Sequence, residues 1–211
     1  FHRVLATQTK LYSKVESRVL TDAKATAGDI LDALDWLKEI TTPEDTTLIL
    51  LAGHGESDAQ GRYTFCAHDY DRARRLRTGV GFEDIKLALG ATKGEVVLFL
   101  DACSAGSSLG AGSKVDVSGL VNNLSDSDSN IVVFASSDGR TPSLESDYLK
   151  QGLFTHCVKE GLTGKADLLR NDRITLSALQ TYVDDAMRKL SDDQHIPGIN
   201  IPKMVRSLAL G

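Results

Sequence analysis

Residues 46–55 read TTLILLAGHG and residues 95–106 read EVVLFLDACSAG. In each, a short run of consecutive apolar residues ends abruptly in small and reactive ones. Apolar residues at every position, not every second one, mark a strand covered on both faces, as in a parallel sheet packed between helices. IVVFA at 131–135 has the same character. These three runs predict central strands over Thr46–Ala52, Glu95–Leu100 and Ile131–Ala135, with further strands expected at Lys14–Leu20 and Tyr63–Ala67. Amphipathic stretches alternate with them. Thr26 with Asp29 forms a capping pattern ahead of Ile30, Leu34, Leu37 and Ile40, which recur at helical spacing. Phe82–Leu89 fits a shorter helix, and Leu176, Leu179, Val183, Met187 and Leu190 after Thr175 predict a last one. Strand and helix in alternation make an α/β domain with a mainly parallel sheet flanked by helices.

At 211 residues with 41% hydrophobic content, the chain has enough apolar surface for one sizeable core and fits one domain. Its net charge of -5 argues against a nucleic-acid partner, which needs a concentrated basic face. Arg72, Arg74, Arg75 and Arg77 do cluster, but beside Asp69 and Asp71, as in a solvated loop. The three cysteines at 66, 103 and 157 are odd in number and widely spaced, which suggests neither a disulfide framework nor a zinc site and reads as a reducing, cytoplasmic setting. No run reaches the roughly 18 apolar residues of a membrane span, so no membrane partner is expected. Residues 104–130 are rich in Ser, Gly and Asp and read as a long loop.

Open α/β sheets carry functional residues just beyond the carboxyl ends of their strands. Here one apolar strand leads into Gly53-His54-Gly55 and another into Asp101-Ala102-Cys103-Ser104. If those strands are neighbours, imidazole and thiol emerge on one rim. The thiolate is the reactive form of cysteine, so a nucleophilic Cys103 needs a group such as His54 to take or hold its proton. The amides of Gly55 and Cys103 are candidates to stabilise an oxyanion, with glycine letting the backbone approach a substrate closely. Taken singly, a histidine after a strand reads as a hydrogen-bonded loop residue and a cysteine as a small buried hydrophobe. Cys66 and Cys157 take that core reading, and Ser104 that of a loop hydroxyl. GAGSK at 110–114 lacks the spacing of a phosphate loop, and Asp167–Ala178 has Leu169 and Ala178 where a calcium loop needs oxygen ligands.

GHG after one apolar strand and DACSAG after another resemble the caspase superfamily. The likeness is nearer to the metacaspases and bacterial caspase-like (orthocaspase-type) peptidases than to animal caspases, which carry Q-A-C where this chain has Asp101-Ala102-Cys103. The 49-residue step from His54 to Cys103 is close to the roughly 50 residues of caspases. IVVFASSDGRTPSLE and GLFTHCVKEGLTGKAD are similar to downstream segments of the same group, so that the likeness covers about residues 10–200.

The resemblance implies a caspase-like three-layer fold spanning residues 1–211 as one peptidase domain. Residues 1–103 would be its large-subunit-like part, 104–130 an intersubunit-type loop and 131–211 a small-subunit-like part. It also implies a first strand ahead of FHRVLATQTKLYSKV, so the sheet is expected to lack that strand in this chain or to receive it from a separate N-terminal fragment of the same protein. The implied activity is a cysteine endopeptidase acting on proteins or peptides through a His54–Cys103 dyad, activated by proteolytic processing and needing no cofactor for the chemistry. By the same resemblance Asp101 lines the pocket for the residue before the scissile bond, which favours Arg or Lys there. Asp138 in ASSDGR is a second candidate acid, unless it caps a turn. Lys114 is the basic residue of the 104–130 loop and hence the candidate self-cleavage site. Metacaspases often use calcium at an acidic cluster, for which Asp69, Glu83 and Asp84 are partial matches. Two other readings stand beside the peptidase: a catalytically silent regulatory or interaction module of the same fold, and a cysteine hydrolase acting on a non-peptide thioester or amide.

Overall fold

A computed structural model of the chain describes residues 1–6, 11–58, 60–104, 124, 130–137, 145–146, 151–202, 205 and 208–211. Its strands are β1 (Thr46–Ser57), β2 (Tyr63–Cys66), β3 (Gly79–Gly81), β4 (Glu95–Ser104), β5 (Ile131–Ala135), β6 (Glu145–Ser146), β7 (Gln151–Gly152) and β8 (Gly198–Asn200). The helices are α1 (His2–Leu5), α2 (Ala27–Ile40), α3 (Arg75–Thr78), α4 (Phe82–Ala91), α5 (Leu153–Glu160) and α6 (Leu176–Leu190). Six strands form one sheet in the order β3-β2-β1-β4-β5-β8, and β6 with β7 makes a small hairpin apart from it. At the centre β1, β4 and β5 run parallel; β2, β3 and β8 are added by antiparallel pairing.

Period-two alternation sorts the strand residues between two cores. Val96, Leu98, Leu100 and Ala102 of β4 join Ile131, Val133 and Ala135 of β5 against Ile30 and Leu34 of α2 and Ile85 and Leu89 of α4. Val97, Phe99, Val132 and Phe134 join Leu153, Phe154, Cys157 and Val158 of α5 and Leu176, Leu179, Val183 and Met187 of α6 on the other face. Phe99 and Phe134 touch at 5.2 Å between ring centroids. The outcome is a three-layer α/β fold in which the consecutive apolar runs are buried from both sides.

Helix starts follow the expected chemistry. Thr26 accepts a hydrogen bond from the Asp29 amide and Thr175 from the Ala178 amide, at 3.2 Å each. Both reactive strands run past their expected ends, β1 to Ser57 and β4 to Ser104, because they continue to pair with each other.

Lys14–Leu20 forms no strand and is exposed along most of its length. A strand needs a ladder partner, and this run has none among the described residues. The sheet itself is open nearby in topology. β2 pairs only with His54–Ser57 of β1, so the outer edge of Thr46–Gly53 carries no strand among the described residues. Alternate amides of Thr46–Gly53 should therefore exchange their hydrogens well before those of Val96–Leu100, which have a strand on both sides. Residue-resolved hydrogen exchange measures this; equal protection would show that the edge is covered.

Candidate active site

The site is set by one register. β1 and β4 pair in parallel from Thr46 opposite Glu95 to Gly55 opposite Ser104, which makes His54 and Cys103 direct Cα partners at the carboxyl ends of adjacent strands. The pairing matches Leu48 with Val97 and Leu50 with Phe99, so burial of the two apolar runs specifies it. Neighbouring strands lie about 4.8 Å apart. By alternation His54 shares a row with Leu48 and Leu50, and position 103 shares one with Val97 and Phe99, on the side covered by α5 and α6. His54 itself is exposed to solvent.

The second row across β1 holds another cysteine. His54 is also the partner of Cys66 in the antiparallel pairing with β2. Burial, with the nearby Glu56 carboxylate adding to it, pushes the Cys66 thiol up to about 11. Positions 66 and 103 are separated by two strand spacings, about 9.6 Å, beyond the reach of a disulfide. Cys157, buried in α5, is pushed up to about 12, chiefly by burial and then by Glu160 and Asp101. Both thiols are held protonated at neutral pH.

The glycines around His54 have a packing reason. A Cβ on Gly55 would lie 2.0 Å from the Tyr63 hydroxyl oxygen, and one on Gly53 would lie 3.1 Å from Cζ of Phe65, both on the face opposite the imidazole row. Gly55 also sits between β2 and β4, opposite Phe65 and Ser104, which turns its amide toward a neighbouring strand. The Cys103 amide is likewise turned toward a neighbouring strand, β1: along β4 the Glu95 amide donates to the Asp45 carbonyl on that side and the Val96 amide to the Asn130 carbonyl on the other, and position 103 has the parity of 95. The pairing of β4 with β5 stops at Leu100 opposite Ala135, so beyond it β4 has no ladder on that side among the described residues.

Asp101 is buried, and its Oδ2 accepts hydrogen bonds from the Thr155 amide at 3.2 Å and from the Thr155 hydroxyl. It thus meets the first turn of α5, whose own N-cap, Gly152, has no side chain to offer. Nothing in the sequence signals that partnership across 54 residues. Asp138 and Lys114 lie outside the described residues.

The acids matched to calcium have other occupations. Asp69 Oδ1 accepts from the Ala27 amide at 2.9 Å, at the start of α2, while Glu83 and Asp84 occupy the first turn of α4. Among the described residues no group of three or more His, Cys, Asp or Glu is placed to hold a metal ion. The arginine cluster is largely absorbed in ion pairs: Arg75 and Arg62 to Asp58 at 2.8 and 2.6 Å, Arg74 to Asp71 at 2.7 Å and Arg72 to Glu56 at 3.4 Å. Glu56, which also accepts from the Tyr70 hydroxyl at 2.8 Å, lies two residues beyond His54 in the same row and was not singled out by sequence. No helix among the described residues is long and apolar enough to cross a membrane.

No family model and no curated protein matches the chain. Among solved structures it is similar to the crystal structure of protein GSU0716 from Geobacter sulfurreducens, with a TM-score of 0.62 over 90% of this chain and 80% of that one. Sequence identity is 13%, so the likeness is one of fold.

Gly55→Ala should cost about 1–3 kcal/mol through overpacking against Tyr63. Combined with Tyr63→Leu, which withdraws the ring, it should cost less than the two changes added; additive losses in denaturant unfolding would refute the contact. The thiols offer a pH test. With Cys66 and Cys157 protonated until the pH approaches about 11 and 12, iodoacetamide at pH 7.5 should label neither at an appreciable rate, and Cys66 labelling should rise as pH increases. Peptide mapping by mass spectrometry reads both sites, and rapid labelling of Cys66 at pH 7.5 would contradict the raised value.

Proposed function

We propose that the chain is a cysteine endopeptidase of the caspase-like type, with Cys103 as nucleophile and His54 as its proton partner. The observation that carries this reading is the register of β1 against β4, which makes the two residues partners at the end of adjacent parallel strands. Cys103 as thiolate attacks the scissile carbonyl carbon, and the oxyanion is met by backbone amides at the ends of β1 and β4, for which those of Gly55 and Cys103 are the candidates. Collapse of the tetrahedral species breaks the C–N bond and leaves a thioester on Cys103, while His54 delivers a proton to the departing amine. Water, deprotonated by His54, then attacks the thioester and restores the thiol. These steps need no cofactor.

Cleavage after Arg or Lys is the specificity proposed. The support is Asp101, buried two residues before Cys103 in the row of position 103, whose carboxylate would attract a basic side chain and repel an acidic one. Activation by a cut in the 104–130 loop at Lys114 belongs to the same proposal. So does completion of the sheet by a strand from a separate N-terminal fragment, for which the support is that the outer edge of Thr46–Gly53 carries no strand among the described residues.

Matched peptides ending in Arg, Lys and Asp, assayed with wild type and Cys103→Ala, test the proposal. Wild type should prefer Arg or Lys over Asp by at least about tenfold, and Cys103→Ala should lose about 10³-fold or more of the activity. Mass spectrometry of the active enzyme should find the cut at Lys114. Labelling of Cys103 without any turnover would point to a silent module, and turnover of small thioesters without peptide cleavage to a non-peptide hydrolase.

A further inference from the structure

We infer that Thr155 is a positioning residue for substrate selection: it holds the Asp101 carboxylate at a fixed depth below the reactive end of β4, so that the pocket accepts a basic side chain as long as Lys or Arg and rejects a shorter one. The inference rests on the proposed reading of Cys103 as nucleophile and of Asp101 as the acid that meets the residue before the scissile bond.

Three observations carry it. The first is depth. Asp101 stands two residues before position 103 on β4 and in the same row, which sets it about 6.6 Å further down the strand at about 3.3 Å per residue. A substrate whose backbone is held at position 103 has to span that depth before its cation meets the carboxylate. Lys and Arg carry the cation on a long stem; ornithine is one methylene shorter than Lys. The second is the hydrogen bonding: Oδ2 of Asp101 accepts the backbone amide of Thr155 at 3.2 Å and the Thr155 hydroxyl as well. The Cβ–Cγ torsion of a carboxylate is broad, and two donors from one residue on one oxygen confine it. Those donors are themselves firmly placed, because Thr155 lies in the first turn of α5 between Phe154 and the buried pair Cys157 and Val158. The third is Gly152. Its φ of -59° is open to any residue, yet a Cβ there would lie 3.0 Å from Cγ and 3.1 Å from Oδ1 of Asp101, and closer still to Oδ2. Glycine at this position lets the carboxylate settle against the start of α5 and reach Thr155.

The acid also stands where the sheet opens. The described ladder between β4 and β5 ends at Leu100, whose carbonyl accepts from the Ser136 amide at 2.9 Å, one residue before Asp101. The carboxyl ends of such strands are where open α/β sheets take their ligands.

Peptides alike except for Lys or ornithine before the scissile bond test the inference. In wild type kcat/KM should favour Lys by about tenfold or more, the size of effect that one methylene has in a fitted pocket. Thr155→Val removes the hydroxyl and keeps the shape; it lets the carboxylate swing and should bring the ratio to within about threefold. Gly152→Ala, which pushes the carboxylate from the other side, should do the same. Thr155→Ser keeps both donors and should keep the wild-type ratio. A loss of stability alone would lower turnover of both peptides together. An unchanged ratio in Thr155→Val therefore overturns the inference, as does a wild type that cleaves both peptides equally well.

Calorimetric binding of the same two peptides to Cys103→Ala, with and without Thr155→Val, supplies a readout independent of turnover. Tighter binding of the Lys peptide, lost on adding Thr155→Val, upholds the inference even where wild type cleaves nothing, and then only the peptidase reading falls. Cleavage after Arg and Lys with a Lys-to-ornithine ratio indifferent to Thr155 leaves the peptidase reading standing and sinks the positioning role. Neither cleavage nor binding would sink both.

Discussion

The structure depends on the parallel ladder between β1 and β4. Two apolar runs of similar length each need cover on both faces, and pairing them side by side from Thr46 and Glu95 buries Leu48, Leu50, Val97 and Phe99 toward one helix layer. Ile49, Leu51, Val96 and Leu98 face the other. A slip of one residue would exchange the two sets, so the register is held by the whole core and not by the residues at its end. His54 and Cys103 are partners because each stands a similar distance beyond its own apolar run.

What surrounds that pair is built from side chains that the ladder brings within reach of distant elements. Tyr63 and Phe65 of β2 occupy the space that Cβ atoms on Gly55 and Gly53 would take, so the glycines flanking His54 are required by aromatic packing on the opposite face. Burial beside Glu56 and in α5 keeps Cys66 and Cys157 protonated. Carboxylates close the helix starts: Asp69 meets the first amide of α2 and Asp101 the first turn of α5. In both cases an acid remote in sequence compensates the amides that helix geometry leaves unpaired.

The expected strand at Lys14–Leu20 illustrates the limit of a local reading. Its composition suits a strand, yet a strand exists only as a member of a ladder, and this run has no ladder partner among the described residues. The arginine cluster points the other way: its like charges look crowded in sequence, but Asp58, Asp71 and Glu56 arrive from β1 and the following turns to pair with them. Of the acids matched to calcium, Asp69 accepts from the first amide of α2, and Glu83 and Asp84 lie in the first turn of α4.

By itself the amino-acid sequence determined the layer architecture, the three central strands, the capped helices at Thr26 and Thr175, and the placing of His54 and Cys103 at strand ends. All of these follow from hydrophobic periodicity and short-range capping, which act over a few residues and are written in consecutive positions. Only the tertiary structure decided which strands are neighbours, that His54 has Cys66 on one flank and Cys103 on the other, and that the carboxylate of Asp101 is bound to Thr155. Those depend on contacts between segments tens of residues apart, whose selection is a property of the packed core and not of any local run of sequence.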